Sequence, residues 1–308
     1  MHKVLPISAV LLLSVGAVLA QERLPTSTLA RIATLAYLES LRPSDLPRLL
    51  SEGQSGEPKA EHLLALVYGE GRLVPKDSAT ARVWMLKSAE QGYIPAQRGM
   101  AELYLSSITD LGGAIFPDYG DAERWLRLAA SQDDADAQCW LGSGYERGWF
   151  GSTDYLEALK WLRKAAAQGL PDAQVGLAQM YESGEGVPES VAVAATWYRK
   201  AADHFPYVGG LPVGGVQEAA ITLAYMYRNG RLPEDNVQAY MWFAIVGSSV
   251  VPPTDDDMKR VSRHMTKAQI AKAQHMAADW VNRHPRQLPS EGGDSAHSAA
   301  VGTLTPEP

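Results

Sequence analysis

Residues able to do covalent or metal chemistry are sparse in this 308-residue chain. Cys139 is the single cysteine, its neighbour Gln138 supplies no base, and we predict a buried structural thiol. The histidines beyond residue 20 contain no His-x-x-x-His spacing, so a zinc site is not indicated. Gly-x-Ser-x-Gly and Ser-x-x-Lys are also absent. The sequence therefore predicts no catalytic residue, no metal site and no cofactor. The histidines considered are His62, His204, His264, His275, His284 and His297.

Acidic runs occur where helices are expected to begin. Asp133-Asp134 precedes one predicted helix, and Asp255–Asp257 opens another. Carboxylates at these places complement the positive end of the helix dipole. We therefore assign both runs to helix stabilisation and not to metal binding.

Side chains suited to non-covalent recognition are better represented. Trp140 and Tyr225 could bury aromatic surface against a partner, and Arg147 and Glu102 could pair with its charges. Whether they share a surface depends on the elements that carry them. Those elements follow from an internal repeat.

Five tyrosines mark the first helix of five repeated units. An alanine stands eight residues before each tyrosine, a leucine or methionine four before, and a small residue three before. Offsets of four and eight lie on one helical face, so each first helix carries an Ala-Leu-Tyr stripe toward the core. Glycine follows three residues later in four units and suits a left-handed helix end. The tyrosines are Tyr68, Tyr104, Tyr145, Tyr181 and Tyr227, and the glycines are Gly71, Gly148, Gly184 and Gly230.

Five tryptophans mark the second helix of each unit, and each has an alanine three residues before it. The basic period is 36 residues, with about five extra residues around "SSITDLGGAIFPDYG" and about ten around "HFPYVGGLPVGGV". The second insertion, Pro206–Gly215, is either a solvated spacer or an interaction loop. The tryptophans are Trp84, Trp125, Trp161, Trp197 and Trp242.

The combined pattern, A-x-x-x-L-G-x-x-Y-x-x-G followed by A-x-x-W-x-x-K-A-A-x-x-G, closely resembles the Sel-one-like repeat (SLR), a relative of the tetratricopeptide repeat. The resemblance covers roughly Lys59 to His284. It implies an all-α fold, a right-handed α-solenoid of about five SLR/TPR-like helix pairs with capping helices at both ends. Unit three carries the pattern most fully, at Ala137, Leu141, Gly142, Tyr145, Gly148, Ala158, Trp161, Lys164, Ala165, Ala166 and Gly169.

The ends of such an array need capping, and the sequence offers segments for this. We expect N-terminal capping helices within residues 21–58, at 29–41 and 44–51, and the five repeats in residues 59–250. One C-terminal capping helix is expected in residues 251–284, beginning at Thr254-x-x-Asp257. The polar tail of residues 285–308 lacks periodicity and is predicted to be disordered.

Residues 1–20 have the features of a signal peptide. Lys3 precedes an apolar run of about 16 residues, which is shorter than the roughly 20 needed to span a bilayer. Val18-Leu19-Ala20 before Gln21 fits a cleavage site, and no Arg pair or lipoprotein cysteine is present. We therefore expect export by the general secretory route to the periplasm or beyond, with no integral membrane span after cleavage.

The overall charge limits the partner class. The formal net charge of −7 argues against nucleic acid and against an anionic membrane surface, because phosphate contacts require clustered Lys and Arg. A protein or peptide partner is compatible with this charge.

In arrays of the type that this chain resembles, the first helices line the concave surface. Positions −5, −2 and +2 from the tyrosine lie roughly opposite the core stripe, and their residues vary between units. The −5 position is Leu63, Gly99 or Gly176 in three of the units, and Trp140 in unit three. Trp140 could instead pack against a neighbouring helix. We predict a partner-binding groove formed by Trp140, Tyr225, Arg147, Glu102, Gln179, Ser143 and Ser183.

The favoured function is a non-enzymatic exported scaffold, an envelope adaptor or regulator that binds a protein or peptide in its groove, as the resemblance implies. Two alternatives stay open. One is a cell-wall or β-lactam hydrolase of the SLR type, although the cysteine pairs of such relatives are missing here. The other is a saccharide-binding module or a partner of envelope polysaccharide machinery, which the resemblance implies and which the aromatic residues of the groove also favour.

Overall fold

The computed structural model describes residues 26–106, 118–203, 215–233, 235–246 and 255–283. All regular secondary structure in these ranges is helical, which confirms the predicted all-α class. Two helices and a 3₁₀ turn at Pro43–Asp45 precede the repeats: α1 Thr26–Ser40 and α2 Leu46–Gln54. The repeat helices are α3 Pro58–Glu70, α4 Ser78–Glu90, α5 Ile94–Leu105, α6 Tyr119–Ser131, α7 Ala135–Glu146, α8 Tyr155–Ala167, α9 Pro171–Ser183, α10 Val191–Ala202, α11 Val216–Arg228 and α12 Asn236–Val246. Two further helices follow: α13 Asp255–Ser262 and α14 Lys267–Arg283.

The ten repeat helices form five antiparallel pairs stacked into an α-solenoid, as predicted. Each helix packs mainly on the one before it and the one after it in the chain. The first helices α7, α9 and α11 also contact one another in succession, which places them on the tighter side of the stack. That side is the inner surface of the array.

The alanine and Leu or Met positions of the predicted stripe are buried in every unit, whereas the tyrosines of units one, two and four are half-buried. The alanines eight residues before each tyrosine and the Leu or Met residues four before it are at most 1% exposed. Burial of such side chains supplies roughly 2 kcal/mol for each large residue, and the alanines allow neighbouring helices to approach closely. The large stripe residues are Leu64, Met100, Leu141, Leu177 and Leu223.

The turn inside each pair is closed by a residue that the sequence analysis did not single out. The position seven residues before each tryptophan is the N-cap of the second helix, and its side chain accepts backbone N–H groups of that helix. In four units its own N–H donates to the carbonyl of the anchor tyrosine at 2.7–3.0 Å. The bond from Asp118 to Tyr104 is among these, so the extra residues of unit two leave its helix pair intact. The N-cap residues are Asp77, Asp118, Asp154, Ser190 and Asp235.

Glycine ends the first helix where the sequence predicted it. Gly71 and Gly184 are the C-caps of α3 and α9, with φ of 70° and 75°. This left-handed conformation disfavours residues that carry a Cβ. Unit two lacks the glycine, and α5 ends instead with Ser106 in an extended conformation.

Polar bonds link the second helix of one unit to the anchor tyrosine of the next. An arginine of the second helix donates to that tyrosine's hydroxyl at each of the four junctions. The bond fixes the spacing of neighbouring units with an aromatic ring that is otherwise packed in the core. The pairs are Arg82 with Tyr104, Arg127 with Tyr145, Arg163 with Tyr181, and Arg199 with Tyr227.

A second set of polar bonds runs through buried glutamines. In units two, three and four, the residue after the stripe alanine is a glutamine at most 4% exposed. Its amide nitrogen donates to a carbonyl near the end of the preceding second helix, and the same carbonyl also accepts a backbone N–H from the turn that follows that helix. These bonds join Gln97 to Ala89 at 3.3 Å, Gln138 to Ala130 at 3.4 Å, and Gln174 to Ala166 at 3.4 Å.

The glutamines are joined to one another in only part of the array. In units two and three the C-cap glutamine of the second helix donates to this row, Gln132 to Gln97 and Gln168 to Gln138, both at 2.9 Å. In unit one the C-cap Gln91 donates instead to the carboxylate of Glu61 at 2.6 Å. Seven residues after Trp197 the chain has His204, which lies outside the described ranges. Among the described residues the buried Oε1 of Gln174 has no hydrogen-bond partner. Within the described residues, the row of linked glutamines therefore extends through units two and three.

The N-terminal segment is more than an end cap. Helix α2 packs on α3, as predicted, but α1 contacts both α3 of unit one and α7 of unit three. Leu38 and Leu41 anchor the end of α1 in the unit-one core. Helix α1 thus crosses from the end of the array toward its third unit. Residues 1–25, which include the expected signal peptide, lie outside the described ranges.

The single C-terminal helix predicted for residues 251–284 is wrong, because the structure has two helices there. The break lies before Lys267, where Thr266 Oγ1 accepts the N–H of Gln269 and the Gln269 side chain accepts the N–H of Thr266. This reciprocal Thr-x-x-Gln capping box begins a new helix. Thr254 and the predicted tail of residues 285–308 lie outside the described residues.

We predict that Gln138→Ala lowers the free energy of unfolding by about 2 kcal/mol, because three hydrogen bonds of a buried amide are lost. Gln174→Ala, at the same repeat position, should cost about 1 kcal/mol less, since its Oε1 is unpartnered. Urea unfolding of the two variants measures the difference. Equal losses would show that only the bond from the amide nitrogen to the helix carbonyl, which both glutamines make, contributes to the free energy of unfolding.

Candidate functional site

A cleft of about 430 Å³ opens on the inner surface between α5, α7 and the start of α9. Its volume lies in the range of ordinary ligand pockets. The walls come from units two, three and four, so no single repeat contains it. The lining residues are Glu102, Leu105, Ser106, Asp136, Cys139, Trp140, Ser143, Arg147, Trp149, Leu170 and Asp172.

Four of the seven residues predicted to bind a partner line this cleft: Glu102, Trp140, Ser143 and Arg147. Glu102 comes from α5, Trp140 and Ser143 from α7, and Arg147 from the C-cap of α7. The structure therefore brings together the part of the predicted groove that belongs to units two and three.

Trp140 occupies a position that, in the units before and after it, faces side chains of a neighbouring helix. At the same offset, a Cβ added to Gly99 would meet Met85 at 2.9 Å, and one added to Gly176 would meet Leu162 at 3.2 Å. Leu63 is likewise only 3% exposed, so this row does not form an open strip as expected. Trp140 is half-buried, packs partly on the core and presents the rest of its ring to the cleft. Both interpretations of this residue, helix packing and cleft wall, therefore hold.

An aromatic ledge forms one edge of the cleft. Trp149, in the turn after α7, stacks on Tyr119 at a centroid distance of 6.2 Å and an interplanar angle of 14°. The Arg147 guanidinium lies 5.3 Å from the Trp149 ring centre, a cation–π distance. The sequence analysis missed Trp149 and Tyr119 because neither belongs to the repeat pattern. The only signal was that they are aromatic residues outside the anchor positions.

Acidic groups dominate the cleft's charged lining. Asp136 shares Arg98 with the buried Asp134, whose carboxylate lies 3.2 Å from the guanidinium. Glu102 is exposed, and the described residues offer its carboxylate no ion-pair partner within 4 Å. Asp172 lies in the first turn of α9. Arg147 is the one basic residue among the side chains that line the cleft.

The Cys139 thiol is not prepared for nucleophilic attack. Burial raises the pKa of Cys139, and the carboxylates of Asp172, Asp136 and Glu146 raise this pKa further. A thiolate is the reactive form, so the thiol stays protonated and unreactive at neutral pH. The prediction of a buried cysteine is confirmed.

Three predicted residues lie outside the cleft. The Gln179 amide donates to Glu218 of unit five at 2.9 Å, and the Ser183 hydroxyl donates to the Gln179 carbonyl at 2.9 Å. The Tyr225 hydroxyl donates to Asp257 of α13 at 3.3 Å. Its ring also packs edge-on against Phe243 at 5.4 Å, beside Arg228. In this structure Tyr225 holds the C-terminal helices on unit five.

In the part of the chain that the structure describes, no three or more His, Cys, Asp or Glu side chains are placed to hold a metal ion. No helix of the described residues is both long and apolar enough to cross a bilayer.

His62 of α3 is a buried histidine beside Tyr93. It is 6% exposed, its ring centre is 5.5 Å from that of Tyr93, and its Nδ1 has no partner among the described residues. Burial, together with the nearby positive charge of Arg98, lowers the pKa of His62 from 6.5 to about 4. The imidazole is therefore neutral at physiological pH.

A family model described as Sel1 repeat matches residues 58–93, 94–134, 135–170, 171–204 and 217–245, together more than half of the chain. These ranges correspond to the five helix pairs. An uncharacterised protein of Neisseria meningitidis serogroup B is 34% identical over 93 residues. That alignment covers 30% of this chain and 18% of the Neisseria protein.

Two solved structures share the fold. The crystal structure of c5321, a protective antigen of uropathogenic Escherichia coli with an SLR fold, has a TM-score of 0.62 and 27% sequence identity. The match covers 77% of this chain but only 48% of c5321, so the chain spans about half of that relative. A Sel1 repeat protein from Oxalobacter formigenes has a TM-score of 0.60 and 24% identity, over 82% of this chain and 98% of the other.

We predict that His62 makes the fold sensitive to acid. Between pH 6.5 and about 4 the unfolded chain binds a proton at this histidine and the folded chain does not, so stability falls as the pH falls. The loss by pH 4 should be about 3 kcal/mol. In His62→Gln the plot of unfolding free energy against pH should be flatter by that amount, whereas the exposed control His264→Gln should follow the wild type. Parallel curves for all three proteins would contradict this assignment.

Proposed function

Because this chain belongs to the Sel1 repeat family, we propose that it is an interaction scaffold that holds an extended segment of a protein partner in the cleft between α5, α7 and α9. The observation that carries the proposal is the convergence of residues from three units on one cleft of about 430 Å³. Repeat proteins of this architecture offer extended concave surfaces as their natural binding face.

The lining of the cleft suits a peptide-like segment. Trp140 and Trp149 can cover apolar side chains, while Ser143 and the charged residues can bond backbone and polar groups. Helix α1 contacts α7 from the N-terminal side and so limits how far such a segment extends along the inner surface.

The hydrolase alternative is less well supported by the same cleft. Its one thiol has a raised pKa, and the described lining holds no histidine that could serve as its base. The saccharide-binding alternative has one specific observation in its favour, the stacked Tyr119–Trp149 ledge. Sugar rings pack on such exposed aromatic faces, and for this reason a saccharide is kept as a competing ligand.

We also propose that the scaffold works outside the inner membrane, as an adaptor or regulator in the cell envelope. The support is the signal-peptide pattern of residues 1–20. This proposal is independent of the one about the cleft.

A photo-crosslinking amino acid placed at Ser143 should join the partner, because this side chain lines the cleft. The same amino acid at Leu156, a 71% exposed position on the second helix of unit three, is the matched control. We expect a discrete cross-linked protein from Ser143 and none from Leu156. When Trp140→Ala is added to the protein that carries the photo-crosslinking amino acid at position 143, the yield of cross-linked partner should fall roughly 10-fold or more, since buried aromatic residues dominate interface energy. Equal yields at both positions would remove the cleft from the proposal.

Processing provides the test of export. The protein purified from its native envelope fraction should begin at Gln21, since cleavage is expected after Val18-Leu19-Ala20. N-terminal sequencing or intact mass reads this directly. Recovery of a chain that still carries residues 1–20 from the cytoplasmic fraction would contradict export.

A further inference from the structure

We propose that the cleft selects a lysine or arginine side chain of the partner segment, with its cationic head at Glu102 and its aliphatic stem on Trp140. This inference rests on the proposed function and specifies the ligand chemistry of the same site. It commits the cleft to a basic protein segment and not to an acidic segment or a saccharide.

The balance of charges around the cleft is the first argument. Three carboxylates line it, those of Glu102, Asp136 and Asp172, against the single guanidinium of Arg147. Arg98, just outside, is shared by Asp134 and Asp136, so that group of three keeps one negative charge. The lining with Arg98 and Asp134 therefore has a net charge of −2, and an incoming cation is favoured over an anion.

The individual carboxylates differ in what they can still bind. Asp136 accepts a hydrogen bond from Arg98 and is already committed. Glu102 projects from the neighbouring helix α5, is exposed, and has no ion pair with any residue that the structure describes. It can therefore accept a new charge-assisted hydrogen bond without losing one.

The single base does not cancel this preference. Arg147 lies over the face of Trp149 at the rim of the cleft, where cation–π contact holds its guanidinium. The two charges thus lie on different helices, Glu102 on α5 and Arg147 at the end of α7. A basic side chain can approach the α5 wall without displacing the ledge.

The electrostatic potential at the buried Cys139, which lines the cleft, is negative. Burial raises the pKa of the Cys139 thiol most, and the carboxylates of Asp172, Asp136 and Glu146 raise it further. Arg147 lowers this pKa, but its effect is the smallest of these. A negative potential at Cys139 is the same potential that a lysine or arginine head would meet. The half-buried Trp140 beside it offers apolar surface to the methylene stem, which long basic side chains bury readily.

The test uses three synthetic peptides and the full chain. Acetyl-Ala-Leu-Lys-Leu-Ala-amide is titrated by calorimetry beside the same peptide with Gln or with Glu in place of Lys. We expect the Lys peptide to bind about fivefold more tightly than the Gln peptide, and the Glu peptide to bind most weakly. The preference should shrink in 0.5 M NaCl, because the pair is open to solvent.

Two charge-matched variants locate the preference. Glu102→Gln should bring the affinity for the Lys peptide down to that for the Gln peptide. Glu90→Gln, which removes an equally exposed carboxylate at the end of α4, should leave it unchanged. Circular dichroism confirms that both variants keep the wild-type helix content.

The outcomes separate this inference from the proposed function. Equal binding of the three peptides, or no effect of Glu102→Gln, overturns the basic-side-chain assignment. Failure of all three peptides overturns it too, while a cross-link at Ser143 would leave the scaffold function standing. Binding of a chitotetraose probe in place of the peptides, lost in Trp149→Ala, would overturn both in favour of a saccharide.

Discussion

Burial of the Ala-Leu-Tyr stripe against the neighbouring unit is the interaction on which the rest of this structure depends. A helix pair of about 36 residues is too small to bury its own apolar face, so each unit is stable only between its neighbours. The core runs continuously through the stack: residues of α9 belong to the cluster of the first units and also to that of the last. Capping helices at both ends cover the apolar faces of the first and last units in the same way.

Polar bonds then fix how the stacked units sit on one another. Apolar packing is tolerant of small rotations, whereas the arginine–tyrosine bonds and the buried glutamines have one satisfactory geometry. These bonds repeat with the period of the array, and therefore set a uniform junction. Between units four and five the described residues add the Arg231–Glu182 and Gln179–Glu218 pairs, which bridge the two units.

The cleft arises at positions of unit three that the repeat pattern does not specify. Trp140 stands where the neighbouring units have glycine, and Trp149 and Tyr119 are aromatic residues outside the pattern. Glu102, Asp136 and Asp172 bring negative charge from three successive first helices. Function in such an array is expected at the positions that the core leaves free to vary. By contrast, His62 and Cys139 carry polar side chains but are buried in the core.

The sequence by itself determined the repeat, the buried stripes, the glycine-ended first helices and the all-α class. These features repeat five times and depend on local periodicity and burial, so each copy supports the others. Four of the seven groove residues were also predictable, because offsets along one helix fix which side chains share a face. The Thr-x-x-Gln capping box at Thr266 is also present in the sequence. It was not predicted because the helical periodicity continues across it and suggested one longer helix. Tertiary structure alone decided that Tyr225 packs on α13, that α1 reaches α7, and that Asp172 and Trp149 line one cleft with Glu102. Each of these contacts occurs once, between elements distant in the chain. Their formation depends on the angle and spacing of the stacked helices, which no single segment encodes.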